Sequence, residues 1–238
     1  MSSKDVLKTP AWYPALASHT FITSFVKLHD KEIKALAAGE ENGKKVSDII
    51  ERMRLPMYSI PGNCFVSVDT CSPTDTERFY AKRGAVHSPE SAWKFLAKSE
   101  KVRRAAANGE VEFICIRPFR RMNQTREFRL FIHKGELKAM SQYWLIRHFR
   151  RLEGIKKDLW KKACKFVDKV AWMLPSDTLV MDIYLTSDDN ILIIDLNAWG
   201  EKTDPLLLRK WERDWNKEVG IILMPPPWKI SGDVNVSF

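Results

Sequence analysis

Residues 179–197, LVMDIYLTSDDNILIIDLN, set Asp182 and Asp195 inside two runs that otherwise read as fully apolar strands. Such strands exclude charge unless the charge has a partner, because burying a lone carboxylate is costly. The intervening SDDN has turn composition, so the stretch reads as an antiparallel hairpin. With Ser187–Asn190 as a four-residue turn, Thr186 faces Ile191 and Asp182 faces Asp195, roughly 5 Å apart at Cβ. Asn197 shares the face of Asp195, since side chains alternate along a strand. Like charges opposed in this way destabilise a sheet unless something offsets them. Two carboxylates and an amide suit Mg²⁺, which keeps its remaining positions for water and phosphates. For either aspartate alone, the alternative is pairing with a lysine or arginine, the other being solvated at a sheet edge. As a set, Asp182, Asp195 and Asn197 favour a metal, while Asp188 and Asp189 are ordinary turn residues.

The rest of the chain can support such a site. Its 238 residues suffice for one large domain, or for two lobes around a cleft. An apolar content of 45% with 11% aromatics argues for a packed core and against disorder. No apolar run reaches the length of about 18 residues that a membrane span requires. MSSKDVLKTPAWYP lacks the apolar stretch of a signal peptide. Cys64, Cys71, Cys115 and Cys164 show no CxxC spacing, which points to reduced thiols. These features lead us to expect a soluble, cytoplasmic, monomeric protein without a membrane. The formal charge of +9 favours a polyanionic partner, such as nucleic acid, an acidic protein surface or nucleotide phosphates.

Residues 30–55 read as helix interrupted at Gly39 and Gly43, followed by a strand over Cys64–Val68. Ser88 and Pro89 open a helix predicted to end near Asn108–Gly109, with Ser91 where a capping box would carry an acid. Strands follow from Val111. EFRLFIHKGELKAMSQYW predicts a hairpin turning at Lys134–Gly135. Apolar residues at 155, 159, 163, 166, 167 and 170 mark one face of a helix. The tail, MPPPWKISGDVNVSF, is Pro-rich and expected to be extended. The fold class is α+β, with a helical N-terminal lobe over 1–110 and a sheet-rich C-terminal lobe over 111–238.

The turn at Lys134–Gly135 makes Glu127 oppose Gln142, with Arg129 on the same face. An arginine on the cleft side of a sheet suits a phosphate, which it holds through two hydrogen bonds; the alternative is an internal Arg129–Glu127 pair. Arg117 is similarly placed at the end of a strand. YWLIRHFRR, residues 143–151, interleaves aromatics with Arg147, Arg150 and Arg151. Lys157, Lys161 and Lys165 then follow on one helical stripe. This basic, aromatic segment over 143–165 suits single-stranded RNA, and equally a solvated lysine face over packed Trp144 and Phe149. Trp199 and Trp211 read as packing residues.

These segments resemble the cell-division-cycle-123 family, a divergent clade of the ATP-grasp superfamily. SPTD at 72–75, ICIRPF at 114–119, EFRLFI at 127–132, MSQY at 140–143, MDIYL at 181–185 and LIIDLNAWGEKTDPLL at 192–207 occur in the family's order. The resemblance implies an ATP-grasp fold, two α+β lobes enclosing a Mg-ATP cleft. It places the strand of Arg117 along adenine and ribose, gives Arg129 a catalytic contact with the phosphates, and sets Gln142 in the same pocket. Asp182, Asp195 and Asn197 would hold Mg²⁺ against ATP, with Asp195 beside the cofactor. Relatives carry a lysine where this chain has Ser67; Lys82 or Arg83 could replace it, or could be solvated loop residues. Three activities are compatible with the resemblance. The favoured one is an RNA ligase joining ends by nucleotidyl transfer. The alternatives are an assembly chaperone for the γ subunit of translation initiation factor 2 that binds ATP with little turnover, and a carboxylate–amine ligase acting on peptides.

Overall fold

The computed structural model describes residues 5–227. The chain divides into two compact units. The first takes the sequence up to Met122 with Met173–Pro175 and Leu192–Leu196, and the second takes Asn123–Trp172, Ser176–Ile191 and the residues from Asn197. The division therefore falls about a strand later than the expected boundary at residue 110. The cause is β3, Phe113–Pro118, which pairs antiparallel with β1, Ser24–Lys27, and β2, Cys64–Val68, in a three-stranded sheet.

In this first unit, Val26, Val66, Ile114 and Ile116 are buried in one apolar core with the helices. The unit's helices are α1, Thr9–Leu16; α2, Asp30–Ala38; α3, Lys44–Tyr58; α4, Glu77–Lys82; α5, Pro89–Ala97; and α6, Glu100–Ala107, of which α2, α3, α5 and α6 bury residues in that core. Gly39, at φ 71°, closes α2, and Gly43 precedes α3, so both predicted interruptions are present. The helix opened by Ser88 and Pro89 is broken in two. Ser99 caps the second half by accepting from the Val102 amide at 3.2 Å, and its hydroxyl donates to Asp75 Oδ1 at 2.6 Å. Asp75 Oδ2 accepts the Lys101 amide, so the aspartate of SPTD fixes the start of α6. Ser91 itself completes the capping box at Ser88, taking the role that a glutamate commonly fills. Gly84, at φ 80°, sits where a Cβ would lie 2.8 Å from Phe65 and 2.9 Å from Phe95, which only glycine tolerates.

The second unit contains β4, Glu127–His133; β5, Glu136–Gln142; α7, Arg150–Val170; β6, Leu179–Leu185; β7, Ile191–Asn197; and β8, Gly220–Ile222. The five strands form one sheet in the order β7-β6-β4-β5-β8. Lys134 and Gly135 both have positive φ, as the predicted two-residue hairpin turn requires. His133 and Ile132 pair with Glu136 and Leu137 in the predicted register, but Phe131 pairs with Ala139, leaving Lys138 as a bulge. Beyond it the register is shifted by one, so Gln142 opposes Phe128 and Ser141 opposes Arg129. One residue of slip exchanges faces. Gln142 consequently lies on the face opposite Arg129, which corrects its assignment to the Arg129 pocket. Its amide donates to the Trp144 and Arg147 carbonyls and its oxygen accepts the Met224 amide.

One face of this sheet packs Phe131, Ala139 and Val180 against Leu208, Trp199, Trp211 and Trp215, confirming both predicted tryptophans as packing residues. The other face carries Met140 and Ile221, cross-strand neighbours, on the side of α7. Within α7, Leu159, Ala163, Phe166, Val167 and Val170 are buried as predicted, whereas Ile155 is exposed. All four cysteines are free. Among the described residues no helix is long and apolar enough to cross a membrane. Residues 223–227 of the Pro-rich tail have no regular secondary structure, and 228–238 lie outside the described residues.

Asp69, buried beside β2, accepts the Glu112 amide at both carboxylate oxygens. Burial pushes its pKa up to about 6, against the pull of these amides and of Lys8. Its folded value exceeds the unfolded value of about 4, so stability from this group is lost as pH rises from about 4 through about 6. Asp69→Asn is expected to remove that slope. Urea titrations across this window should show the variant gaining on the parent by on the order of 2 kcal/mol as pH rises; parallel pH profiles would refute it.

Candidate functional site

Arg129 and Asp182 are direct neighbours in the β4–β6 ladder. Arg129 Nε donates to Asp182 Oδ1 at 2.7 Å, and Nη2 to Oδ2 at 2.8 Å. Both residues are buried. The apolar strand thus tolerates Asp182 because a guanidinium stands opposite it. Burial pulls the pKa of Arg129 down, but the hydrogen bonds and charge of Asp182 outweigh it, holding the guanidinium above its usual value. The expected alternative pairing of Arg129 with Glu127 is therefore replaced by a longer-range one.

The third guanidinium nitrogen, Nη1, donates to the Asp204 carbonyl at 2.7 Å. Tyr143 covers the cation, its ring centroid 5.3 Å from Arg129 Cζ. Asp204 stands in a loop that sequence and structure both make rigid. Thr203 donates to the Ala198 carbonyl, Trp211 Nε1 donates to the Thr203 carbonyl, and Asp204 Oδ1 accepts the Leu206 amide. Asn197 enters from the end of β7, its amide donating to Asp182 Oδ2 at 3.1 Å.

A cavity of about 410 Å³ opens beside these groups, lined by Arg129, Tyr143, Asn197, Lys202, Thr203 and Asp204 among others. Lys202, Asp204 and Tyr143 were not singled out by sequence reasoning. Lys202 and Asp204 lie inside the GEKTDPLL motif, and Tyr143 inside MSQY, so the motifs were visible while the roles of these residues were not.

The expected metal ligands are placed differently. Thr186 donates to the Asn190 carbonyl and Asp189 to the Thr186 carbonyl, with Asp189 at φ 67°. This turn is one residue tighter than the four-residue turn expected at Ser187–Asn190. Asp182 and Asn197 do meet in the second unit. Asp195 belongs to the first unit, where its Oδ1 accepts the Leu196 amide at 3.0 Å. There its charge adds to burial in raising Cys71 to about 11 and Cys115 to about 12. Among the described residues no group of three or more His, Cys, Asp and Glu side chains is arranged to hold a metal.

Donor chemistry still leaves room for a hard cation at Asp182 and Asn197. A carboxylate offers about four acceptor sites, and Asp182 uses three of them, two for Arg129 and one for Asn197. One lone pair of Oδ1 and the amide oxygen of Asn197 are open, and oxygen donors of this kind suit Mg²⁺.

Arg117 lies in the first unit. Its Nε donates to Thr23 Oγ1 at 3.0 Å and its Nη1 to the Ile194 carbonyl at 3.2 Å. Thr20 Oγ1 donates to the neighbouring Ile193 carbonyl at 2.7 Å. Ser67 is buried in β2, while Lys82, the last residue of α4, and Arg83, its C-cap, are exposed.

Residues 87–217 match the family model D123. The chain belongs to the D123 family. It is 25% identical over 223 residues to a CDC123-like protein of Acanthamoeba polyphaga mimivirus, covering 86% of this chain and 68% of that protein. It is 30% identical over 87 residues to the translation initiation factor eIF2 assembly protein of Danio rerio, covering 36% of this chain and 25% of that protein. The chain thus spans about two thirds of the viral relative and a quarter of the fish one. The fold is similar to that of C-terminally truncated Cdc123 from Schizosaccharomyces pombe, with a TM-score of 0.80, 19% identity, and coverage of 93% of this chain and 96% of that one. The D123 match encloses every motif from ICIRPF to TDPLL, and hence the cavity lining.

Removing one partner of a buried ion pair leaves the other charge uncompensated. Asp182→Asn is expected to cost about 3–5 kcal/mol, whereas replacing both partners, as Arg129→Met with Asp182→Leu, should recover most of it. Urea unfolding of the three proteins tests this; a single variant as stable as the parent would refute the pairing.

Proposed function

We propose that the chain is an ATP-binding assembly factor for translation initiation factor 2, acting on its γ subunit with little turnover of nucleotide. The observation that carries this reading is the D123 match across the residues that build the cavity, together with relatives named as eIF2 assembly proteins. In this reading the phosphates enter the cavity toward Lys202 and Arg129. Arg129, fixed by Asp182, the Asp204 carbonyl and Tyr143, offers a preorganised positive field. Lys202, exposed on the rim, supplies a second cation. Asp182 and Asn197 offer the oxygen donors for Mg²⁺. When bound, the metal would spread the phosphate charge. Arg117 and Asp195, both in the first unit, keep the adenine-side and metal roles implied by the ATP-grasp resemblance as separate proposals, each testable by single substitution. No nucleotide role is proposed for Gln142, which is committed to the backbone on the other face.

RNA ligation is not carried forward. Its sequence basis was an aromatic and basic platform over 143–165, but Phe149 is buried, with Arg147 stacked on it at 5.2 Å. A ring in that state cannot stack on a base. The relatives, moreover, are named for assembly.

Calorimetry with Mg-ATP should show saturable binding, weakened roughly tenfold in Lys202→Ala. Incubation with α-labelled ATP should return it as ATP, and the protein should retain purified γ subunit of translation initiation factor 2. AMP with longer RNA would overturn the reading in favour of a ligase. ADP with a modified peptide would point instead to acyl-phosphate chemistry.

A further inference from the structure

A second cavity, of about 420 Å³, lies in the same unit between α7 and β8. Its floor is apolar, formed by Trp160, Val219 and the largely buried Ile221. Lys156, Lys157 and Lys161 line it from α7. Ile221 pairs with Met140 and so faces away from Arg129, while Ile222 pairs with Ser141 on the Arg129 side. The groove and the Arg129 cavity are therefore on opposite faces of the sheet.

Three features of this groove converge. Lys156, Lys157 and Lys161 make no ion pair among the described residues, whereas Lys162, one position on, is paired with Asp189. The one acid within 156–161 is Asp158, and it is absent from the lining. Unopposed like charges gathered over an apolar floor lower stability, so an anionic partner would relieve them. Val219 is 37% exposed, an apolar side chain held at the mouth of the groove by its amide, which donates to the Lys138 carbonyl at 2.7 Å. β8 is also the edge of the sheet, paired among the described residues with β5 alone, so a strand-like ligand can add to it through backbone hydrogen bonds.

We propose that the groove between α7 and β8 is a docking site for an acidic, extended peptide segment of a partner protein. Apolar side chains of the segment pack on Trp160 and Val219, and its carboxylates meet Lys156, Lys157 and Lys161. Strand geometry sends every second side chain to the same side, so both kinds stand at alternate positions that face α7. Nucleic acid fits less well. Trp160 is only partly exposed, and the remaining floor is aliphatic, which offers no face on which a base stacks.

The test uses the full chain, without nucleotide, and a short fluorescein-labelled peptide in which every second residue is in turn glutamate and valine, so that both face the groove. Fluorescence anisotropy should show saturable binding, and a lysine–valine peptide of equal length should not bind. Lys157→Glu with Lys161→Glu, two exposed helix positions, should weaken the acidic peptide roughly tenfold or more. Val219→Ser should weaken the peptide while leaving any residual binding of a uridine oligonucleotide unchanged. Absence of saturable peptide binding, or binding indifferent to these variants, would overturn the proposal. Tighter binding of the oligonucleotide, lost with the same charge reversals, would overturn it in favour of a nucleic-acid surface. Self-association in sedimentation that the charge reversals abolish would overturn it in favour of a second copy of this chain. Because ATP is absent throughout, failure here leaves the nucleotide reading standing, and failure of that reading leaves this one standing.

Discussion

The buried pair of Arg129 and Asp182 is the constraint on which the second unit is organised. Desolvating two charges is expensive, and a pair of this kind contributes little net stability compared with apolar residues of the same volume. What it does is fix direction. Both guanidinium nitrogens facing Asp182 are used, so the third can point only toward Asp204, and Tyr143 closes over the plane. The loop from Ala198 to Leu208 is then held to the sheet by a charge-assisted bond at its middle and by tryptophans at its flank. A cavity lined by one buried and one exposed cation follows from that arrangement.

Much of this was legible in the sequence. The acids in apolar strands announced a site, and the periodicities of α7 and of the two hairpins gave element types correctly. Local chemistry decided those features: Ser88–Pro89 for a helix start, Lys134–Gly135 for a turn, Gly39 for a stop. What could not be read was pairing between distant strands. The partner that local sequence offers Arg129 is Glu127, its neighbour on the same strand face, whereas its partner in the fold is 53 positions away across the β4–β6 ladder. Nothing in either hairpin alone indicates that the two lie side by side.

The misread turns have a common cause. Both hairpin registers were reckoned from turn length, which holds only while every residue of one strand faces one residue of the other. At Thr186–Asn190 the turn is tighter by one. At Lys138 the strand carries an extra residue. The bulge moved Gln142 to the face opposite Arg129. Composition does not reveal either, since Lys138 is an ordinary residue in an alternating strand, and the bond its carbonyl accepts, from the Val219 amide, comes from a distant segment.

That bulge makes the β4–β5 hairpin a mixed frame. Residues on the turn side of Lys138 obey one parity, and those beyond it obey the other. Inheritance of residue roles among relatives by aligned position is therefore safe along each half separately, but not across the bulge. A relative with the same number of residues but no bulge would present the position of Ser141 where this chain presents Gln142, and an otherwise identical motif would turn a different side chain toward the arginine.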